Sequence, residues 1–434
     1  IYENLDPGDY IEFVIQNSAR KKIDHIVASA EDTTYRYTSC VSMSGCYTIT
    51  IFNFMQKKFK VKVIINDDTI REVPITNAAH SLSFGYESNG TLQKRACDDF
   101  VLCNTTAETE SPKRELVDKL TRVTGIKVFN DETSSYYNAA CKWVDFLEGH
   151  DEGEYKYSAL LQYFYLAVLF FETNGNEWTD SNMWLTNTTF CNWYGIECDG
   201  YGVVTSIRLP FNNLRGTLPT EIGELRGLQH LLLNNNRISG TIPLEIGVKI
   251  TMLRQLNVSH NGLWGSMPSQ FSNLKELREL EASHNQLTGN LPEKMGNLKE
   301  LQILDIHNNT FAGSLPATFY NLLSLKQLSL RSNLFAGSAN RVQELSNLET
   351  LDLSENFFTG NVPLGSSQPK LRVLELSGNQ FRGSIPISIQ AFESLETLFL
   401  HNNMLTGNLP SQIGNLVHLG RVSVSHNNIK GLVP

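Results

Sequence analysis

Glu281 and Asp305 stand at equivalent positions of successive repeats in this 434-residue chain, and so do Asp352 and Glu375. Paired carboxylates can share a proton in bond cleavage, hold a cation, or receive a basic ligand. Cleavage needs a pocket that raises one of the two pKa values, and a shallow strand face leaves both carboxylates solvated. His260, His284 and His426 form a second column, with His307 and His401 one position away. The Ser-His-Asn triplet that carries the first three is a common filling for an exposed turn, so no metal is expected there. No G-x-S-x-G, P-loop, H-E-x-x-H or glycine-rich dinucleotide turn occurs. The chain reads as a binding protein without catalytic residues, cofactor or metal.

The elements that position these side chains follow from one template, L-x-x-L-x-L-x-x-N-x-L-x-G-x-I-P, which recurs from Val204 onward, as in residues 301–316 and 371–386. Its ten asparagines run from Asn212 to Asn427 at spacings of 23 to 25 residues. Such a period is the mark of a leucine-rich solenoid. Each turn opens with a short strand whose alternate residues, for example Leu304 and Ile306, point inward. One turn cannot bury them alone, so neighbouring turns must stack about 4.8 Å apart into a continuous core. The asparagine marks the bend after the strand, where its amide can both donate to and accept from otherwise unpaired backbone groups. Glycine then allows a backbone shape closed to other residues, and proline holds the next segment extended.

Outward strand positions form the concave face, the surface on which a solenoid presents itself to extended ligands. The candidate ligand-binding residues there are Glu279, Glu281, Asp305, Arg331, Asp352, Glu375 and Phe399. Like charges in a cluster call for a positive partner, so a basic peptide or protein segment is the expected ligand.

Charge is uneven: residues 1–203 carry 18 Lys+Arg against 29 Asp+Glu, and 204–434 carry 18 against 16. Neither part has the basic field that nucleic acid or an anionic membrane requires. The apolar run 159–171 is too short to span a bilayer and reads as a core helix. Ile1 lacks a signal-peptide layout and Pro434 falls within a repeat, so both ends look cut and an anchor would lie outside this chain. Three close cysteine pairs suggest bridges: Cys40 with Cys46, Cys97 with Cys103, and Cys191 with Cys198. Cys141 is then the odd thiol, although the connectivity of the first four stays open. Sequons at Asn89, Asn104, Asn187, Asn257 and Asn308 join the cysteines in favouring an extracellular or cell-surface setting. Glycans on Asn257 and Asn308 would screen repeats three to five and direct a ligand to repeats six to nine.

The G-x-[ILVM]-P element resembles the plant-type leucine-rich repeat of receptor-kinase ectodomains and polygalacturonase-inhibiting proteins. That resemblance implies a second short β segment beside the concave sheet. The unit CNWYGIEC (191–198) matches the C-x-W-x-G-x-x-C motif of plant-type N-terminal caps, and 163–185, 134–149 and 44–52 resemble the leucine-rich-repeat proteins of diatoms and related algae. In place of that family's Cys-Cys turn stands NFMQKKFK (53–60). Repeat six reads GSAN with Asn340 where proline belongs, and repeat seven returns through LGSSQPK (364–370), so an irregular convex side is expected over 336–370.

The expected fold is an α/β solenoid, a right-handed leucine-rich-repeat horseshoe of at least ten plant-type repeats, with a helical, disulfide-bridged cap and a small β-sandwich-like module upstream. Its expected domains are a β-rich module (1–110), a helical connector (111–155), the cap (156–203) and the solenoid (204–434). Strands are expected at 10–16, 46–54 and 59–66, where apolar residues alternate. The leading function is receptor-like recognition of a peptide or protein on the concave face, with a co-receptor as a further partner. The alternatives are a secreted inhibitor of a carbohydrate-degrading enzyme and an extracellular-matrix adhesion protein.

Overall fold

The computed structural model describes the backbone of seven strands between residues 10 and 93, a helix at 135–148, and residues 157–431 apart from 187, 366 and 367. The chain divides into two compact units, Ile1–Gly125 and Ile126–Pro434.

The first unit is antiparallel β. Strands β1 (Tyr10–Asn17), β3 (Gly45–Asn53) and β4 (Phe59–Ile65) fall where the alternation places them. β2 (Lys22–Ser29), β5 (Asp68–Ile75), β6 (Ala79–Tyr86) and β7 (Leu92–Gln93) are additional. They form a five-stranded sheet in the order β2-β1-β3-β6-β7 and a separate β4-β5 pair. The sequons at Asn89, Asn104 and Asn187 lie outside the described residues.

The second unit begins with two helices, α1 (Ser135–Glu148) and α2 (Tyr157–Glu172). α1 buries Ala139, Ala140, Cys141 and Trp143, and the Tyr136 hydroxyl donates to Glu221 of the first convex turn at 2.8 Å. Cys141 is disulfide-bonded, which corrects its expected role as the odd thiol. The expected pairs Cys40 with Cys46 and Cys97 with Cys103 lie outside the described residues.

α2 is buried from Tyr163 to Phe170, as its apolar run requires. The polar interruption in that run seals the start of the solenoid: Gln162 Oε1 accepts the Val204 N–H at 2.7 Å while its Nε2 donates to the Gly202 carbonyl at 3.2 Å.

The cap is an aromatic cluster closed by one bridge. Trp178, Trp184 and Trp193 pack in series with centroids 4.8 and 4.9 Å apart, and Phe170 touches the first two. Cys191 and Cys198 are bridged, and the strand Ile196–Cys198 (β8) pairs antiparallel with Val204–Arg208 (β9). The solenoid sheet therefore starts on a partner rather than a bare edge.

Ten repeat strands, from Val204–Arg208 to Arg421–Ser423, follow in one parallel sheet, and a second sheet of ten short strands runs from Arg215–Thr217 to Asn428–Lys430. The inward leucines between them are buried through the first nine repeats, whereas Leu419 is only half-buried and Val422 exposed in the last. Each template asparagine spans two repeats. Asn309, for example, accepts the Leu287 N–H of the preceding repeat at 2.9 Å and donates to the Ala282 and Ile306 carbonyls at 2.9 and 3.1 Å. Asn212 makes the equivalent contact with the cap, accepting the Asp180 N–H at 2.6 Å and donating to the Asp180 carbonyl at 2.8 Å.

The convex side departs from the template less than its sequence suggests. Repeat six, despite Asn340, keeps a 3-10 turn at Asn340–Glu344. Among the described residues, repeat seven has no helical turn in its return segment. Buried Gln368 fills that place and donates to the Val342 and Leu345 carbonyls at 3.1 and 3.3 Å. The core below also changes: Phe311, Phe335 and Phe358 stack with centroids 6.2 and 6.1 Å apart and buried Phe381 follows in repeat eight, where the remaining repeats carry leucine or isoleucine.

Candidate ligand-binding face

Parallel registration sets the outward side chains in straight columns. Glu281 lies opposite Asp305, Asp305 opposite Ser329, Ser329 opposite Asp352, Asp352 opposite Glu375, and Glu375 opposite Phe399. Five of the seven candidate residues thus share one column. Glu279 lies in the neighbouring column and accepts from Gln255 Nε2 at 2.5 Å. Arg331 is exposed and belongs to the column of His307 and His401 that follows the strands.

The acids in the central column differ in what they already do. Asp352 caps its own bend, accepting the Ser354 N–H at 2.9 Å and the Ser354 hydroxyl at 2.5 Å. Asp305 accepts the His307 N–H at 3.2 Å and pairs with its Nδ1 at 2.5 Å. Asn257 repeats this two-residue step with Ser259. Short Asp and Asn side chains favour such local bonds, so part of the column's acidity is structural.

Glu281 and Glu375 are a methylene longer and do not close that bend. Burial pushes the Glu281 carboxyl up, the Asp305 and Glu279 charges push it further, and a hydrogen bond from Asn257 partly offsets them. Burial likewise raises Glu375, reinforced by Asp352 and opposed by Arg331, Arg421 and His401. Both carboxylates carry a repulsion that an arriving cation would relieve. Phe399 is half-buried at the end of the column, 6.0 Å from the His401 ring.

The rim beside this column holds a pattern the sequence reading missed. The residue before each template asparagine adopts a left-handed backbone: Phe211, Asn235, His260, His284, Asn308, Ser332, Glu355, Asn402 and His426 all have φ between 51° and 58°. The abundance of Asn and His there was the available signal, since these types tolerate that region better than most. His260 and His284 stack with centroids 4.1 Å apart, and His307 meets His284 edge-on at 4.7 Å. The Asp-x-His step at 305–307, which places both side chains on one strand face, could also have been read from period two. Among the described residues no group of three or more His, Cys, Asp or Glu side chains is arranged to hold a metal.

The two described sequons differ in setting. Asn257 sits on the concave strand with its amide engaged by Ser259 and Glu281, whereas Asn308 stands at the rim with Nδ2 3.1 Å from both His284 ring nitrogens.

Comparison with known proteins fits this geometry. The description "Leucine rich repeat" matches residues 251–311, and single repeats match at 227–248, 347–368, 370–392 and 394–416. The second unit is a leucine-rich-repeat solenoid. Two Arabidopsis thaliana relatives are the LRR receptor-like serine/threonine-protein kinase GSO2, 31% identical over 20% of this chain, and the receptor protein-tyrosine kinase CEPR1, 34% identical over 22%. The matched regions span only 7% and 10% of those relatives, within their repeats. Among solved structures, the PEPR1–AtPEP1 complex is 31% identical with a TM-score of 0.52, covering 61% of this chain and 41% of that one. A plant ice-binding protein is 26% identical with a TM-score of 0.57, covering 62% of this chain and 87% of that one. Among the described residues no helix is long and apolar enough to cross a membrane.

Proposed function

We propose that the solenoid is a receptor-like extracellular recognition module, not an enzyme, that captures an extended basic peptide or protein segment on its concave face. The column Glu281–Asp305–Ser329–Asp352–Glu375–Phe399 carries this reading. Its carboxylates come as two pairs three repeats apart, about 14 Å at the usual strand spacing. An extended peptide advances about 3.4 Å per residue, so side chains at i and i+4 share a face and match that distance. The expected ligand therefore carries Lys or Arg at i and i+4, with an apolar or aromatic residue beyond the second to meet Phe399. Arg331 lies between the pairs and discourages a third cation. The PEPR1–AtPEP1 likeness supports this mode of use, and the bridged cap supports an extracellular setting, with a co-receptor and an anchor outside this chain as further parts of the proposal. Binding at Glu281 and Asp305 requires Asn257 and Asn308 to be free of glycan. The diatom and algal resemblance belongs to the same reading.

Fluorescence anisotropy with labelled ten-residue peptides tests it. Binding should be strongest for Lys pairs at i,i+4, weaken about tenfold at i,i+3, where the side chains face opposite ways, and weaken with salt. Equal affinity for all spacings would defeat the reading.

The likeness to the ice-binding protein favours a second reading. Thr217, Thr241, Ser266, Asn290, Ser314 and Ser338 form an exposed row along the second sheet. These small residues also lie against the glycine of the following repeat: a Cβ on Gly240 would come 2.9 Å from Thr217 Cγ2, and one on Gly313 would come 2.6 Å from Asn290 Oδ1. Close packing thus accounts for their size, and thermal hysteresis measured on the intact chain decides whether ordered water is also bound.

A further inference from the structure

The concave rim of repeats three to five carries three imidazoles in contact, which capture of a basic ligand does not by itself require. His260 and His284 occupy the same left-handed position one repeat apart, with rings parallel to within 15° and centroids 4.1 Å apart. His307 closes the row edge-on to His284, at 81° and 4.7 Å. Charged groups surround it unevenly. Asp305 and His260 act on His284, while Asp305, Asp352 and Arg331 act on His307. Glu281 stands in register with Asp305 on the adjoining strand.

This arrangement accepts one added proton easily and a second poorly. His307 takes the first, because its Nδ1 faces the Asp305 carboxylate at 2.5 Å. Two parallel imidazoliums in van der Waals contact repel each other, and His284 already faces the protonated His307. The Asn308 amide, placed 3.1 Å from both nitrogens of His284, offers donor hydrogens that suit a neutral ring and oppose a charged one.

We infer that the His260–His284–His307 row is a proton-operated switch on the concave rim: stacked at neutral pH, it separates on acidification and brings positive charge beside Glu281 and Asp305, releasing a basic ligand from repeats three to five. The ligand part rests on the concave-face reading above, whereas ring separation does not. Burial together with His260 and His307 holds the His284 imidazole below the usual histidine range, in keeping with a stack that resists charging.

Imidazole NMR titration of the intact chain tests the switch without any ligand. Asn suits this backbone position, since Asn235, Asn308 and Asn402 occupy it in other repeats, so His260→Asn and His284→Asn should preserve the fold. In His260→Asn the midpoint of His284 should rise by about half a pH unit or more, and an unchanged midpoint overturns the switch. Hexalysine binding at pH near 7 and near 5 tests the coupling. Wild type should lose about tenfold or more on acidification, and the double variant combining His260→Asn and His284→Asn about threefold less than wild type. The same loss in both proteins overturns the regulatory role and leaves the concave face intact as a site. Should hexalysine fail to bind at either pH, the concave-face reading and the ligand release fall together, and ring separation is decided by the titration.

Discussion

Asn333 Oδ1 accepts the Phe311 N–H at 3.0 Å, reaching 22 residues back along the chain to the preceding repeat. The same amide donates to the Ile306, Leu330 and Arg331 carbonyls at 3.0, 3.0 and 3.2 Å. Replacing it with Leu strands these buried groups together, and leaving buried polar groups unsatisfied costs about 1–3 kcal/mol each. Asn333→Leu should lower stability by about 3 kcal/mol or more, read by urea unfolding followed through far-UV circular dichroism. A loss under about 1 kcal/mol would show that water replaces the amide.

Glu281 separates function from stability. Its raised pKa means that the folded state holds this proton more tightly than the unfolded chain, so its contribution to stability grows as pH falls from the raised value toward 4.5. Glu281→Gln should raise the thermal midpoint slightly at pH 7 and flatten that pH dependence. It should also weaken binding of the i,i+4 dilysine peptide about tenfold. A variant that gains stability without losing affinity would mark Glu281 as merely solvated.

His284 and His307 should affect stability with opposite signs. The lowered pKa of His284 makes its contribution present above 6.5 and lost as pH falls below it, so His284→Asn should gain on wild type at acid pH. The bond to Asp305 raises His307, whose contribution is full below 6.5 and disappears as pH rises through the raised value. His307→Asn should therefore cost most at acid pH. Thermal midpoints between about pH 5 and pH 8, spanning the histidine range, check both signs.

The cap bridge closes a short loop. Replacing Cys191 and Cys198 together with Ser should cost about 2.5 kcal/mol by the loop-entropy relation, with unfolding beginning at the cap. Limited proteolysis should cut first near Trp184 in that variant, and an unchanged cleavage pattern would show that the tryptophan cluster holds the cap alone.

Gly313 in the second sheet and Gly414 in the last convex 3-10 turn are separable by backbone. Gly313 has φ of 78° and an added Cβ would meet Asn290, whereas Gly414 has nothing within 4 Å. Gly313→Ala should destabilise by about 1–2 kcal/mol, and Gly414→Ala should be close to neutral.

Much of this architecture was legible because periodicity over-determines it. Leu304 and Ile306, the strand register and the two-sided role of the asparagine all follow from one template, and the bridged cap from its motif. What escaped the sequence depends on contacts between residues far apart or on backbone angle. Tyr136 and Glu221 meet although 85 residues separate them, and nothing in either segment announces it. Cys141 reads as a buried helical thiol because its helix pattern is visible in the sequence and its bridging is not. The acidic column is legible, but its division into bend-capping aspartates and unrelieved glutamates needs hydrogen bonds. The irregular convex side was expected from Asn340, yet the 3-10 turn survives there because Val342 and Leu345 are still buried in the core.

The asparagine ladder also sets how the solenoid behaves under tension. Every rung joins one turn to the turn before it, so a pull on the C-terminal end loads the last rung alone, as a zipper loads one tooth. Each release frees about 24 residues, roughly 80 Å of contour at full extension. Drawn between two surfaces, the array should yield in even steps and re-form from the cap outward, letting out chain at nearly constant force.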